Sequence, residues 1–365
     1  MRITRGRALS GIALIGASAV VLAGCAAAPE EEADGGDAGS DFVPCIVSDA
    51  GGFDDKSFNQ LSFEGITDAA DALGVEVIDV ESASEADYGP NMESLVSQGC
   101  NLIVSVGFAL SAATVESALA NPDVEYAIID DAADNDFDGT TDAENIKPIL
   151  FDTADAAFLA GYAAASYSKT GVVATWGGLP FPTVSIFSDG FAQGVAYHNE
   201  QKGTAVTVLG YDPANPDAYT VTGGFEANDV ARQTAQNFLD QNADVLLPVG
   251  GPIYQSALAA ISDSGKDVVL LGVDADLFET DPDTQDVILT SILKQMRVAT
   301  ADVVEAAGNG DFSNEPYVGT LENDGVGIAP FHNFEGSVSP DLQAELDTIR
   351  EAIISGEIEV TSYLD

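Results

Sequence analysis

Several residues able to bind a small polar molecule stand where short apolar runs end. Asp49 follows Ile46-Val47-Ser48, Asp130 follows Tyr126-Ala127-Ile128-Ile129, Asp274 follows Leu270-Leu271-Gly272-Val273, and Lys294 closes the run 289–293. An ionised carboxylate only accepts hydrogen bonds and an ammonium only donates them. Asp49 and Asp130 therefore suit donor groups on a ring, while Asp274 with Lys294 suits vicinal hydroxyls, one side accepting and the other donating. Phe58 and Phe225 could sandwich a planar base, although a phenylalanine taken alone is more often a core residue. Asn59 adds an amide beside Phe58, and Gly250 and Gly251 would let the backbone touch a ligand.

The stretch from 44 to 60, PCIVSDAGGFDDKSFNQ, gathers most of this chemistry. It reads as a strand, a turn at Gly51-Gly52 and a helix capped by Asp54, Asp55 or Ser57. Neither GxGxxG nor GxxxxGK[ST] occurs in it, and its acidic side chains would repel a phosphate. An uncharged, partly aromatic ligand fits better.

Catalysis has less support. His198 and His332 are the only histidines, and neither has metal-site or triad spacing, so we expect no catalytic residue, metal or cofactor. Residues 134–139, Asp-Asn-Asp-Phe-Asp-Gly, resemble the start of a calcium loop. Its twelfth position falls on Asn145, with Glu144 one place early, so we read a solvated acidic loop. Two alternatives stay open: a nucleoside-cleaving enzyme using clustered aspartates, and a sugar receptor in which Trp176 stacks on a pyranose.

The elements that must position these residues alternate regularly. Strands are expected over 46–48, 75–80, 102–106, 124–129, 171–176, 205–210, 244–249, 268–273 and 287–293. Helices are expected between them, and a last one is bounded by Ser339, Pro340 and Gly356. This is an α/β pattern with parallel sheets covered on both faces. Ligands in such sheets bind beyond the carboxyl ends of the strands, so two facing sheets would aim all the strand-end residues into one cleft. The extended run 146–152 and the apolar helix 153–169 read as the passage between lobes. We place the first lobe at 43–150 plus about 276–315, and the second at 151–275 plus about 316–365. Cys45 and Cys100 each precede a strand of the first lobe, and we expect them to form a disulfide rather than remain buried thiols.

The ends and the composition narrow the setting. Arg2, Arg5 and Arg7 precede an apolar stretch from 8 to 23, which ends in Leu22-Ala23-Gly24-Cys25. This reads as a signal peptide over 1–24 closed by a lipobox, leaving Cys25 acylated. The segment 25–42 is an acidic, alanine- and glycine-rich tether. The 365 residues carry 60 Asp and Glu against 12 Lys and Arg, a formal charge of −48. Such a charge disfavours nucleic acid and anionic lipid surfaces, and no DNA-reading module precedes the first lobe.

The segments DAGGFDDKSFNQ (49–60), GFALSA (107–112), YAIIDD (126–131), FLAGYAAA (158–165), SDGFAQG (188–194), LPVGG (247–251), GVDAD (272–276) and TSILK (290–294) together resemble one family. It is the basic membrane protein family of bacterial substrate-binding lipoproteins, which includes the PnrA-type purine nucleoside receptors. The resemblance implies a type I periplasmic-binding-protein fold: two Rossmann-like lobes, a three-strand hinge, and a ligand closed between them. It further implies delivery of nucleosides to an ABC permease, and with the lipobox we expect a lipid-anchored, extracytoplasmic receptor that is a monomer. By resemblance Asp49 and Asp130 recognise the base, Phe58 and Phe225 stack on it, and Gly251, Asp274 and Lys294 contact the ribose. Pro252-Ile253-Tyr254 departs from the family's more glycine-rich turn.

Overall fold

The structure, a computed structural model, describes residues 41–362. The expected signal peptide, the acylated Cys25 and nearly all of the tether lie outside the described residues.

The chain runs β1 (Pro44–Ser48), α1 (Phe58–Leu73), β2 (Ile78–Val80), α2 (Tyr88–Ser97), β3 (Leu102–Val106), α3 (Ser111–Ala120), β4 (Glu125–Ile129) and β5 (Ile146–Phe151) through a first lobe. It continues as α4 (Thr153–Tyr167), β6 (Val172–Gly177), α5 (Pro182–Lys202), β7 (Thr207–Leu209), α6 (Asp229–Asp240), β8 (Val245–Val249), α7 (Ile253–Ser264), β9 (Val269–Asp274), α8 (Leu277–Thr280) and β10 (Ile288–Lys294). The last elements are α9 (Met296–Gly308), β11 (Tyr317–Gly319), β12 (Val326–Ile328) and α10 (Leu342–Ile354).

Two six-stranded sheets result, ordered β11-β5-β4-β3-β1-β2 and β12-β10-β9-β8-β6-β7. The pairings are parallel except for β10 with β12. Strands β1, β3 and β8 are buried at every position, as expected of parallel strands covered on both faces. Cys45 and Cys100, at the amino ends of β1 and β3, are joined by a disulfide with Cα atoms 5.9 Å apart.

The chain passes between the lobes three times, after β5, after β10, and between β11 and β12. Two backbone bonds tie these crossings together: Asp152 N donates to Gly319 O at 2.8 Å, and Gln295 N to Gly325 O at 2.9 Å. The lobe boundaries differ from those expected. β10 pairs with β9 and belongs to the second sheet, so the return to the first lobe comes at Gln295 rather than near 276. α9 then packs on α1, and β11 pairs with β5, so the final passage follows Gly319 rather than residue 315. An apolar strand at the edge of a run reads the same in either sheet, so periodicity could not assign it.

The final helix also starts late. Leu342 N donates to Ser339 O at 3.0 Å in a tight turn, and the helix proper begins at Leu342 instead of Pro340. Its end is as read, with Gly356 at φ +73° just past Ser355.

Helix α4 is buried on nearly all sides because α5 lies against it along a seam of glycines. A Cβ on Gly194 would run into the carbonyl of Phe158, and one on Gly161 into the carbonyl of Phe191. Backbone cannot swing aside as a side-chain tip can. Gly194→Ala should therefore destabilise the protein by about 1–3 kcal/mol in urea melts, despite alanine's better helix propensity. Wild-type stability in that variant would mean the helices can separate freely.

Candidate ligand site between the lobes

All nine residues selected from the sequence line one cavity: Asp49, Phe58, Asn59, Asp130, Phe225, Gly250, Gly251, Asp274 and Lys294. The convergence follows from topology. Asp49, Asp130, Asp274 and Lys294 each stand at or just past the carboxyl end of a strand, and the two sheets present those ends to each other.

The 49–60 turn is built around Asp55, which the sequence reading had named only as one of three possible caps. Its buried carboxylate accepts from Ser57 N at 2.9 Å, Asn59 N at 2.9 Å and Gln60 N at 3.1 Å, and from Asn59 Nδ2 at 3.1 Å. It thus satisfies the first free N–H groups of α1, while Ser57, at the capping position, makes no side-chain cap. Ser57 instead reaches across the cleft, its Oγ donating to Val273 O at 3.0 Å and contacting Asp274 Oδ2 at 3.3 Å. Asp49 Oδ1 accepts from Gly51 N at 2.8 Å and from Asn59 Nδ2 at 2.9 Å. Desolvation in the cleft raises Asp49 to about 6 and raises Asp55 as well.

At the centre Lys294, 3% exposed, joins the two lobes electrically. Its Nζ lies 2.6 Å from Asp130 Oδ2 in the first lobe and 3.7 Å from Asp274 Oδ1 in the second. Three rings surround the ammonium, with Phe187 at 4.8 Å, Phe58 at 5.6 Å and Phe151 at 5.8 Å from their centroids. Burial pushes Asp274 up to about 7 and raises Asp130 too, the lysine opposing it in both. Both aspartates sit in the left-handed region, at φ +63° and +67°, which few side chains adopt without cause. Lys294 therefore bonds first to Asp130, which the resemblance had assigned to the base, and only second to Asp274.

Aromatic rings close the remaining sides. Phe108 of the first lobe meets Phe181 of the second at 5.2 Å, and Phe181 lies 6.1 Å from Phe225. Gly178 and Gly250 leave room for the Phe225 ring, which a Cβ at either position would strike.

Asp55, Phe181 and Phe187 were not selected from the sequence, yet they line the same cavity, as does Phe108 beyond the end of β3. Phe181 had a usable signal: it lies between Pro180 and Pro182, which hold it extended ahead of α5. Phe187 had none, since a phenylalanine on a helix reads as core.

The geometry bears on the sugar alternative and on the acidic loop. Trp176 is fully buried against Phe238, 5.3 Å away, so it faces the helix layer and offers no ring to a sugar. The acidic loop does gather Asp134, Asp136 and Asp138. However, Asp134 accepts from Asp138 N and Gly139 N, and Asn145 donates to three carbonyls, those of Ala118, Asn121 and Val124. The residue at position twelve is thus committed elsewhere.

Four buried side-chain polar atoms make no hydrogen bond among the described residues, and two of them belong to this cavity: Asn59 Oδ1 and Asp274 Oδ1. Leaving such acceptors unmet costs about 1–3 kcal/mol each, which a ligand donor would recover. None of the described helices is long and apolar enough to cross a membrane.

The family model for PnrA-like ABC transporter substrate-binding proteins matches residues 42–363. A CD4+ T-cell-stimulating antigen of Listeria innocua is 28% identical over 96% of each chain. The ABC transporter nucleoside-binding protein BmpA of Lactococcus lactis is 26% identical over 97% of this chain and 98% of its own. A solute-binding protein of an ABC transporter system from Aeropyrum pernix superposes with a TM-score of 0.77 at 25% identity, over 89% of this chain and 94% of that one. Two parallel-sheet lobes, a cleft lined from both, and a match over the whole described chain agree: this protein is a member of the PnrA-like family of ABC transporter substrate-binding proteins.

Proposed function

We infer that the ligand is a nucleoside, purine in kind, captured outside the cell membrane and handed to an ABC permease by a monomer tethered through a lipid on Cys25. The observation that carries this reading is the mixture of groups in one cleft. Phenyl rings suited to a flat base stand beside carboxylates suited to its N–H groups, and a lysine–aspartate pair suits a ribose diol. Four carboxylates, those of Asp49, Asp55, Asp130 and Asp274, share the cavity with a single ammonium. A phosphorylated ligand would add negative charge to an already negative, desolvated site, so nucleosides are favoured over nucleotides. The name of the Lactococcus lactis relative supports the same ligand class. Burial of Trp176 removes the ring on which the sugar alternative stood.

Calorimetry with inosine, guanosine, adenosine, guanosine monophosphate, ribose and glucose tests the reading. The expected result is binding of nucleosides, at least tenfold weaker binding of the monophosphate, and none of the free sugars. Binding only to free sugars would remove it. Release of free base during the incubation would turn the assignment toward an enzyme.

A further inference from the structure

The amide of Asn59 has one orientation available to it, and that orientation decides what the ligand must present. Its Nδ2 lies 2.9 Å from Asp49 Oδ1 and 3.1 Å from Asp55 Oδ2, so both amide protons go to carboxylates. Turning the amide over would set its carbonyl oxygen against two carboxylate oxygens, with repulsion replacing two charge-assisted hydrogen bonds. Asp55 enforces the choice: it is 3% exposed and is itself held by three backbone N–H groups. What remains of Asn59, a side chain 2% exposed, is its Oδ1, buried and without a hydrogen bond. The neighbouring Asp49 uses Oδ1 for both of its bonds, to Gly51 N and Asn59 Nδ2, which leaves Oδ2 for the cavity. The wall built by the 49–60 turn therefore carries two acceptors and no side-chain donor from these three residues.

We propose that this wall reads a ligand edge bearing N–H donors, and so selects 6-oxopurine nucleosides, which carry N1–H, over adenosine, whose N1 is an acceptor. Guanosine fits most fully because its N1–H and exocyclic amine stand side by side and can meet both acceptors. Adenosine would set its N1 lone pair against Asn59 Oδ1 or Asp49 Oδ2. The proposal rests on the nucleoside reading and adds to it the face of the base that is recognised. Asp55, whose carboxylate is taken up by the turn's own N–H groups and by the Asn59 amide, acts as a positioning residue by fixing that amide.

Calorimetry with the full chain at pH 8, where Asp49 is ionised, tests this with guanosine, inosine, adenosine and 1-methylguanosine. Discrimination by such a donor–acceptor pair is roughly ten- to a hundredfold. We expect guanosine to bind at least tenfold more tightly than adenosine, inosine to fall between them, and 1-methylguanosine to lose at least tenfold against guanosine. In Asp55→Asn the amide of Asn59 is no longer fixed, and the guanosine-to-adenosine ratio should shrink towards one. A structural role for Asp55 alone would weaken all four ligands equally and leave the ratio intact. Equal binding of adenosine and guanosine by the wild type, or of 1-methylguanosine and guanosine, would overturn the proposal and leave the nucleoside reading standing. Binding of none of the four would remove both.

Discussion

Lys294→Met should lower both ligand affinity and stability, the first by at least ~tenfold and the second by about 3–5 kcal/mol at pH 8. Methionine keeps the length and suits the rings of Phe187, Phe58 and Phe151 around the site, so the loss belongs to the charge rather than to packing. What the substitution leaves behind is the main cost. Asp130 and Asp274, each 6% exposed, would confront each other across the cleft with no cation between them. Removing one partner of a buried ion set is far more damaging than never having built it, because the survivors stay desolvated. The variant should therefore recover part of its stability at pH 5, where the two carboxyls can take up protons. Urea melts at pH 8 and pH 5, with calorimetry at pH 8, measure both effects. Wild-type affinity and stability in Lys294→Met would show that the ammonium carries neither role.

The parts of this site that were legible in the sequence share one physical cause. Parallel strands in an α/β sheet end at one edge, so a polar residue closing an apolar run is placed before any contact is known. Asp49, Asp130, Asp274 and Lys294 could be selected on that ground alone, and they do line a single cavity. Residues reaching the cavity from helices or loops lacked such a marker. Phe187 sits on α5, where helical spacing places apolar side chains against a core whether or not a cleft lies beyond it. Partnering was equally hidden. Nothing in the order of residues tells that Lys294 bonds to Asp130, 164 positions away, more closely than to Asp274, its neighbour in the same sheet. The lobe boundary near β10 was misplaced because strand sequence reports burial on two faces and is silent on which sheet supplies the neighbours.

Stability of the ligand-free protein should rise as pH falls from 8 to 5, opposite to the trend of proteins whose carboxylates are stabilised as ions. A carboxyl with a folded-state pKa above its unfolded value holds its proton more tightly when native. Its contribution is whole below about pH 4 and is lost as pH rises through the folded value. Asp274 is raised to about 7 and Asp49 to about 6, both chiefly by burial. Three pKa units at Asp274 correspond to about 4 kcal/mol surrendered between pH 4 and pH 8. Asp274→Asn removes the titrating group while keeping an oxygen for Ser57 Oγ, and Lys294 retains Asp130. That variant should melt higher than wild type at pH 8, show a flatter profile between pH 5 and pH 8, and bind ligand more weakly. Melting temperatures across this range, with and without the substitution, decide it: a flat wild-type profile, or a slope that Asp274→Asn leaves unchanged, would mean that the buried carboxyl is not where the protein stores this energy. The expected pairing of higher stability with weaker binding has a single origin, since a carboxylate kept desolvated and short of donors destabilises the empty cleft by the same interaction that a ligand's hydroxyl would complete.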